Sequence, residues 1–127
     1  MHTCAKKLSI LLVLLLPSLL LASVGDGEWL RRVPAKEQSK PNPYSGDTQA
    51  TASGANLLGQ HCAACHGKDA EGRDGKPSLH SERLKRASAG EIHWLLTNGS
   101  LKNGMPSWAR LPDQQRWQIV TYLKSIQ

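Results

Sequence analysis

Cys62-Ala63-Ala64-Cys65-His66 is the stretch on which the reading of this chain turns. Cys-x-x-Cys-His is the attachment pattern for c-type haem. On a helical turn, positions three and four apart face the same side, so both thiols and the imidazole can meet one flat ligand. The thiols of Cys62 and Cys65 add across the two porphyrin vinyl groups, and His66 supplies the proximal nitrogen to iron. A bare Cys-x-x-Cys also serves as a redox dithiol or as half of a zinc site. A dithiol motif calls for a preceding strand, and no strand-like run leads into Cys62. A zinc site calls for a second ligand pair. The third cysteine, Cys4, is far upstream, which leaves only His61, His80 and His93 to improvise one.

The chain has 127 residues, enough for one small domain, and a formal charge of +6. It has no phenylalanine, and aromatic residues make up 5%. A core so poor in large rings is marginal for a small domain, and a buried porphyrin would supply the missing apolar surface. Residues 1–25 read as an export signal: Lys6 and Lys7, then an apolar run from Leu8 to Leu21, then Ala22-Ser23-Val24-Gly25 for cleavage. The alternative is an uncleaved anchor, because the uncharged run from Leu8 to Gly25 is just long enough to span a bilayer. Cleavage removes Cys4 and two positive charges. The remaining cysteines are then the two of the motif, with no disulfide to form, and the mildly basic product does not suggest a nucleic-acid partner.

Residues 26–53 read as an extended N-terminal segment, with Pro34, Pro41 and Pro43 keeping it extended where ordered. It is either a flexible tether or, through Trp29, Leu30, Val33 and Tyr44, a strap against the globular part. Residues 54–127 carry helical periodicity and no strand-like alternation, so the fold class is all-α. A first helix is expected from about Gly54 to Cys65, capped by Ser53 or Thr51. A second begins at Ser88, where Ser88-Ala89-Gly90-Glu91 fits a capping box, and stops at Asn98-Gly99. A last helix runs from about Pro112 to Ser125. Leu84 marks a short further helix after the loop from Gly67 to Ser81.

Once the signal is removed, Met105 is the remaining methionine, in Asn103-Gly104-Met105-Pro106-Ser107-Trp108. A thioether is a soft ligand that favours reduced iron. Pro106 biases Met105 towards extended backbone, and Gly104 allows the main chain close to a flat ligand. Met105 is therefore the expected distal ligand. The rivals are His80, read as solvated, and His93, read as an exposed helix residue. Either would give bis-histidine ligation and leave Met105 as packing.

From Gly54 to Ile126 these motifs, in this order, resemble the class I c-type cytochromes, specifically the small bacterial mono-haem forms. The resemblance implies a bundle of three to four helices around one covalently attached haem c. Pro77-Ser78-Leu79 resembles the family's Pro-x-Leu element, which implies that the Pro77 carbonyl accepts the Nδ1 proton of His66. Gly54 and Leu58 resemble the pair that crosses the last helix, with Ile119 and Tyr122 as partners. Two departures stand out: Lys68-Asp69-Ala70 lacks a second glycine, and Pro112 stands where Ser or Thr often caps the last helix.

The expected site is Cys62 and Cys65 as thioethers, His66 and Met105 on iron, and Pro77, Leu79, Leu95 and Trp108 against the haem. Leu84, Ile92 and Leu111 complete the expected wall. Lys68, Lys76, Lys102 and Arg110 are candidates for a positive ring at the haem edge. The resemblance implies an electron carrier, not an enzyme. It would be exported to the periplasm or its equivalent and pass single electrons from a dehydrogenase or respiratory complex to an oxidase or other cytochrome. Its partners would be redox proteins, with a membrane involved only if the signal segment is retained. The alternative is a haem sensor or enzyme with a labile distal Met105.

Overall fold

The computed structural model describes residues 28–127. The signal segment expected at 1–25, with Cys4, lies outside the described residues. Among the described residues the protein is all-α, with six helices and no strand. They are α1 (Ala35–Gln38), α2 (Thr48–His61), α3 (Ala63–His66), α4 (Glu82–Arg86), α5 (Ala89–Asn98) and α6 (Asp113–Ser125), with 3-10 turns at Leu30–Arg32 and Leu101–Asn103. No helix among the described residues is long and apolar enough to cross a membrane.

The centre is the crossing of α2 and α6. Ala50, Gly54 and Leu58 recur every four residues and form the buried stripe of α2. From α6 come Trp117, Ile119, Val120 and Leu123. Ile92 of α5, Ile119 and Val120 are the most completely enclosed side chains, each stabilising the fold by about 1.5–3 kcal/mol through burial. Gly54 permits the crossing. A Cβ there would stand 2.8 Å from Tyr122 Cβ and closer still to the Gln118 carbonyl oxygen. The pairing of Gly54 with Tyr122 thus has the main chain of Gln118 as its tightest contact.

The first long helix starts earlier than Gly54. It begins at Thr48, capped by Asp47, whose carboxylate accepts from the Ala50 amide at 2.9 Å. Thr51 and Ser53 lie inside it and cap nothing. Its first turns bury alanine and glycine instead of leucine, so they show little hydrophobic period. Ser88 and Glu91 form the expected capping box on α5: Glu91 N–H donates to Ser88 Oγ at 3.1 Å, and Ser88 N–H to Glu91 Oε2 at 2.7 Å. Helix α6 starts after Pro112 with no side-chain cap.

Residues 28–47 are a strap, not a tether, and they contain short helices instead of continuous extended chain. Val33 is buried, and Trp29, Leu30 and Tyr44 pack on the core. The Glu37 carbonyl lies against Gly90 with no room for a Cβ between them. Ser88 Oγ donates to the Gln38 carbonyl at 2.8 Å, and Asn42 Nδ2 to Thr121 Oγ1 at 2.9 Å.

His93 is not an exposed helix residue. It is 6% exposed and lies flat on Trp117, with ring centroids 4.0 Å apart. It also shares a 3.0 Å hydrogen bond with Asp113 Oδ1. The stacking partner, absent from any local pattern, draws it inward. His80 is exposed, but it is not merely solvated: its ring nitrogens lie 3.1 Å from the Asp69 carbonyl and 3.2 Å from the Ile126 carbonyl. Those backbone contacts, Asp69 first, hold its pKa above the ordinary value.

Candidate functional site

Helix α2 ends at His61, and Cys62 carries the chain directly into the single turn of α3. The amides of Cys65 and His66 both donate to the Cys62 carbonyl, at 3.1 and 2.9 Å. This turn gathers both thiols and the imidazole at one place. Cys62 is half-buried and Cys65 exposed, and the two form no disulfide. Burial, reinforced by the neighbouring Cys65, pushes the Cys62 thiol up to about 11.

His66 Nδ1 lies 2.8 Å from the Pro77 carbonyl oxygen. A carbonyl can only accept, so Nδ1 is the donor in this bond and Nε2 is the nitrogen left to face the cavity side of the ring. The loop between them is folded tightly to make this contact. The Gly72 amide donates to the His66 carbonyl at 2.7 Å, and a Cβ on Gly72 would stand 2.8 Å from the Ser78 amide nitrogen. Ala70, in the stretch Lys68-Asp69-Ala70 that lacks a second glycine, is buried with φ of 63°, a left-handed backbone that costs an alanine about 1 kcal/mol.

On the distal side, Ser100 and Met105 exchange two backbone bonds, of 2.8 and 3.1 Å, across the turn Leu101–Asn103. Gly104, with φ of 77°, closes that turn. The Trp108 amide donates to the Leu96 carbonyl at 2.8 Å, which docks the rest of the loop on α5.

Cys62, Cys65, His66 and Met105 all border one cavity of about 580 Å³. Pro77, Leu79, Leu84, Ile92, Leu95 and Trp108 line the same cavity. Leu111 does not; it packs into the core, where the Arg116 guanidinium caps its carbonyl. Leu58, Leu96, Ile119 and Leu123 also line the cavity, as do Trp29 and His61. Leu58 was within reach of sequence reasoning, one turn before Cys62 on the same helix face. Trp29 was not, because nothing local ties it to a motif some 30 residues on.

The expected positive ring is only partly assembled. Lys76 lines the cavity and lays its ammonium over Gly104, 3.1 Å from where a Cβ would be. Lys102 is paired with Glu28 at 3.2 Å, Arg110 sits 4.4 Å over the Trp108 ring, and Lys68 is exposed. The three histidines that would have improvised a zinc site are held apart, His93 by Asp113, His80 by the Ile126 carbonyl and His61 beside Trp108.

Two thiols and an imidazole on one turn, a thioether across the cavity and aliphatic walls form a donor set that fits an iron porphyrin. The fold and this site define a small c-type cytochrome. Residues 49–123 match the family described as "Cytochrome C oxidase, cbb3-type, subunit III", and the chain belongs to that family of cytochrome c domains. It is 43% identical over 74 residues to "Cytochrome c-551" of Bacillus subtilis (strain 168). That alignment takes in 58% of this chain and 58% of the relative, so the chain spans under two thirds of the curated relative it matches. No solved structure matches significantly. The cytochrome c family binds covalently attached haem c with its iron, and its members are electron carriers rather than enzymes.

Proposed function

We propose that the protein is an exported mono-haem electron carrier, with Cys62 and Cys65 as the thioether attachments and His66 and Met105 as the axial ligands. The observation that carries this reading is that all four side chains border one and the same cavity, with His66 Nδ1 already committed to Pro77. Bound haem c supplies a one-electron Fe(III)/Fe(II) couple. The protein supplies everything around it. The Pro77 carbonyl orients His66 and strengthens it as a ligand. Met105 would hold the iron from the side of the cavity away from His66 and would keep substrate and solvent from it, which suits electron transfer and opposes oxygen chemistry. Leu79, Leu84, Ile92 and Leu95 exclude water, and burial of this kind raises the potential. Lys76, at the cavity rim, favours an acidic docking surface on the partner.

Residues 1–25 are the proposed export signal, 26–53 the N-terminal segment and 54–127 the haem-carrying domain, although α2 crosses the boundary at 53. The proposed partners are redox proteins: a dehydrogenase or respiratory complex as donor, an oxidase or another cytochrome as acceptor.

Absorption spectra and redox titration of the wild type beside Met105→Ala test the reading. The substitution is expected to lower the potential substantially and open the sixth position to carbon monoxide or cyanide. An unchanged spectrum and potential would remove Met105 from the iron. Rapid binding by the wild type would favour the sensor or enzyme alternative.

A further inference from the structure

Residues 28–47 precede the family match, which begins at residue 49, yet they reach the cavity. Trp29 packs on the core and lines the same cavity as Met105. Its neighbour Glu28 accepts from Lys102 at 3.2 Å, in the turn that carries the chain from Ser100 to Met105. One helical turn further on, Arg32 Nη2 donates a long 3.4 Å hydrogen bond to Ser100 Oγ. Ser100 is 5% exposed, and both its main-chain groups are bonded to Met105. Its hydroxyl also accepts from Asn103 Nδ2 at 2.9 Å. The backbone of Met105 is therefore registered to Ser100, and Ser100 to the strap.

The strap does not float. Buried Val33 follows Arg32, and the Glu37–Gly90 contact and the Ser88–Gln38 hydrogen bond fix the next turn to α5. The exposed Glu28–Lys102 pair and the long Arg32 bond contribute little energy individually. They set where Trp29 sits, with its indole packed on the core and facing the cavity that Met105 borders.

We propose that Trp29 is a positioning residue of the haem site, supplied by the N-terminal strap to brace the Met105 loop. The strap thereby sets how often the Met105 thioether leaves the iron. This rests on Met105 being the distal ligand.

The test uses the full-length holoprotein with Trp29→Ala, Trp29→Phe, Met105→Ala and the double variant Trp29→Ala/Met105→Ala. Cyanide binding to the oxidised protein reports opening of the sixth position. Hydrogen exchange of the Met105 and Ser100 amides reports the loop without reference to any activity. Trp29→Ala is expected to bind cyanide roughly tenfold faster or more, because the open fraction rises. Exchange at Met105 and Ser100 should accelerate while α2 and α6 keep their protection, and Trp29→Phe should recover most of the difference. The double variant should bind no faster than Met105→Ala alone.

If Met105→Ala opens the site and Trp29→Ala matches the wild type in both readouts, the strap proposal falls and ligation stands. If Met105→Ala itself changes nothing, the ligation reading falls and takes the strap proposal with it. Should Trp29→Ala fail to mature, Glu28→Gln/Arg32→Ala carries the test through polar links at the strap surface. A smaller acceleration supports the proposal, and no acceleration in either readout overturns it.

Discussion

Gly54 faces the main-chain carbonyl of Gln118 so closely that a Cβ there would overlap it, and that Cβ would also stand 2.8 Å from Tyr122 Cβ. A carbonyl in the middle of α6 cannot swing away without breaking that helix, so a methyl group at position 54 forces the two helices apart. Gly59, one turn and a residue further along α2, has nothing within 4 Å of its would-be Cβ and no positive φ. Gly54→Ala should cost about 3 kcal/mol or more, as overpacking against a rigid neighbour does. Gly59→Ala should stabilise by about 0.5–1 kcal/mol, as alanine does in a helix interior. Urea denaturation of both variants checks the pair. Similar behaviour of the two would contradict the packing described at the crossing.

Ser88 joins two jobs in one hydroxyl. It accepts from the Glu91 amide as the cap of α5 and donates to the Gln38 carbonyl of the strap. Losing a cap alone costs about 1 kcal/mol. Ser88→Ala should exceed that, at about 2 kcal/mol, because the Gln38 carbonyl loses its donor as well. Asp47→Ala, which removes only the cap of α2, is the internal comparison and should cost about 1 kcal/mol. Equal losses in thermal or urea melts would mean that the strap bond contributes nothing.

The parts legible in the sequence are those where chemistry or capping acts over a few residues. Cys62, Cys65 and His66 are one helical turn, Ser88 and Glu91 are one capping box, and Gly104-Met105-Pro106 is one loop. Each contains its own reason. What stayed hidden depends on partners distant along the chain. The start of α2 at Thr48 is obscured because Ala50 and Gly54 are buried for their smallness, which no hydrophobic period registers. His93 has the look of a surface residue until Trp117 is brought beneath it. The strap is rich in proline and polar residues, and only docking distinguishes it from a linker. Leu111 looks as suitable for the haem wall as Leu95 does. Its position at the entry to α6, with its carbonyl held by Arg116, sends it to the core instead.

The burial of His93 has a consequence for acid stability. Enclosure pushes its pKa below the ordinary value of 6.5; the Asp113 carboxylate and its hydrogen bond pull the other way, and Arg116 and Lys40 add to the depression. Burial works to raise the Asp113 carboxyl, but His93 and Arg116 together hold it below 3.8. For His93 the unfolded chain binds a proton at a pH where the folded one does not. Its contribution is therefore fully present above about pH 6.5 and is lost as pH falls towards the depressed folded value. The Asp113 contribution is lost only at lower pH, as that carboxyl becomes protonated. Between about pH 7.5 and about pH 5 the wild type should lose urea stability relative to His93→Gln, which keeps a hydrogen-bond donor without a titrating ring, while His80, whose raised pKa acts in the opposite sense, is common to both. Subtracting the two profiles removes the other titrating groups they share. A difference that does not change across this range would show that His93 has the same proton affinity folded and unfolded, which is incompatible with its burial against Trp117.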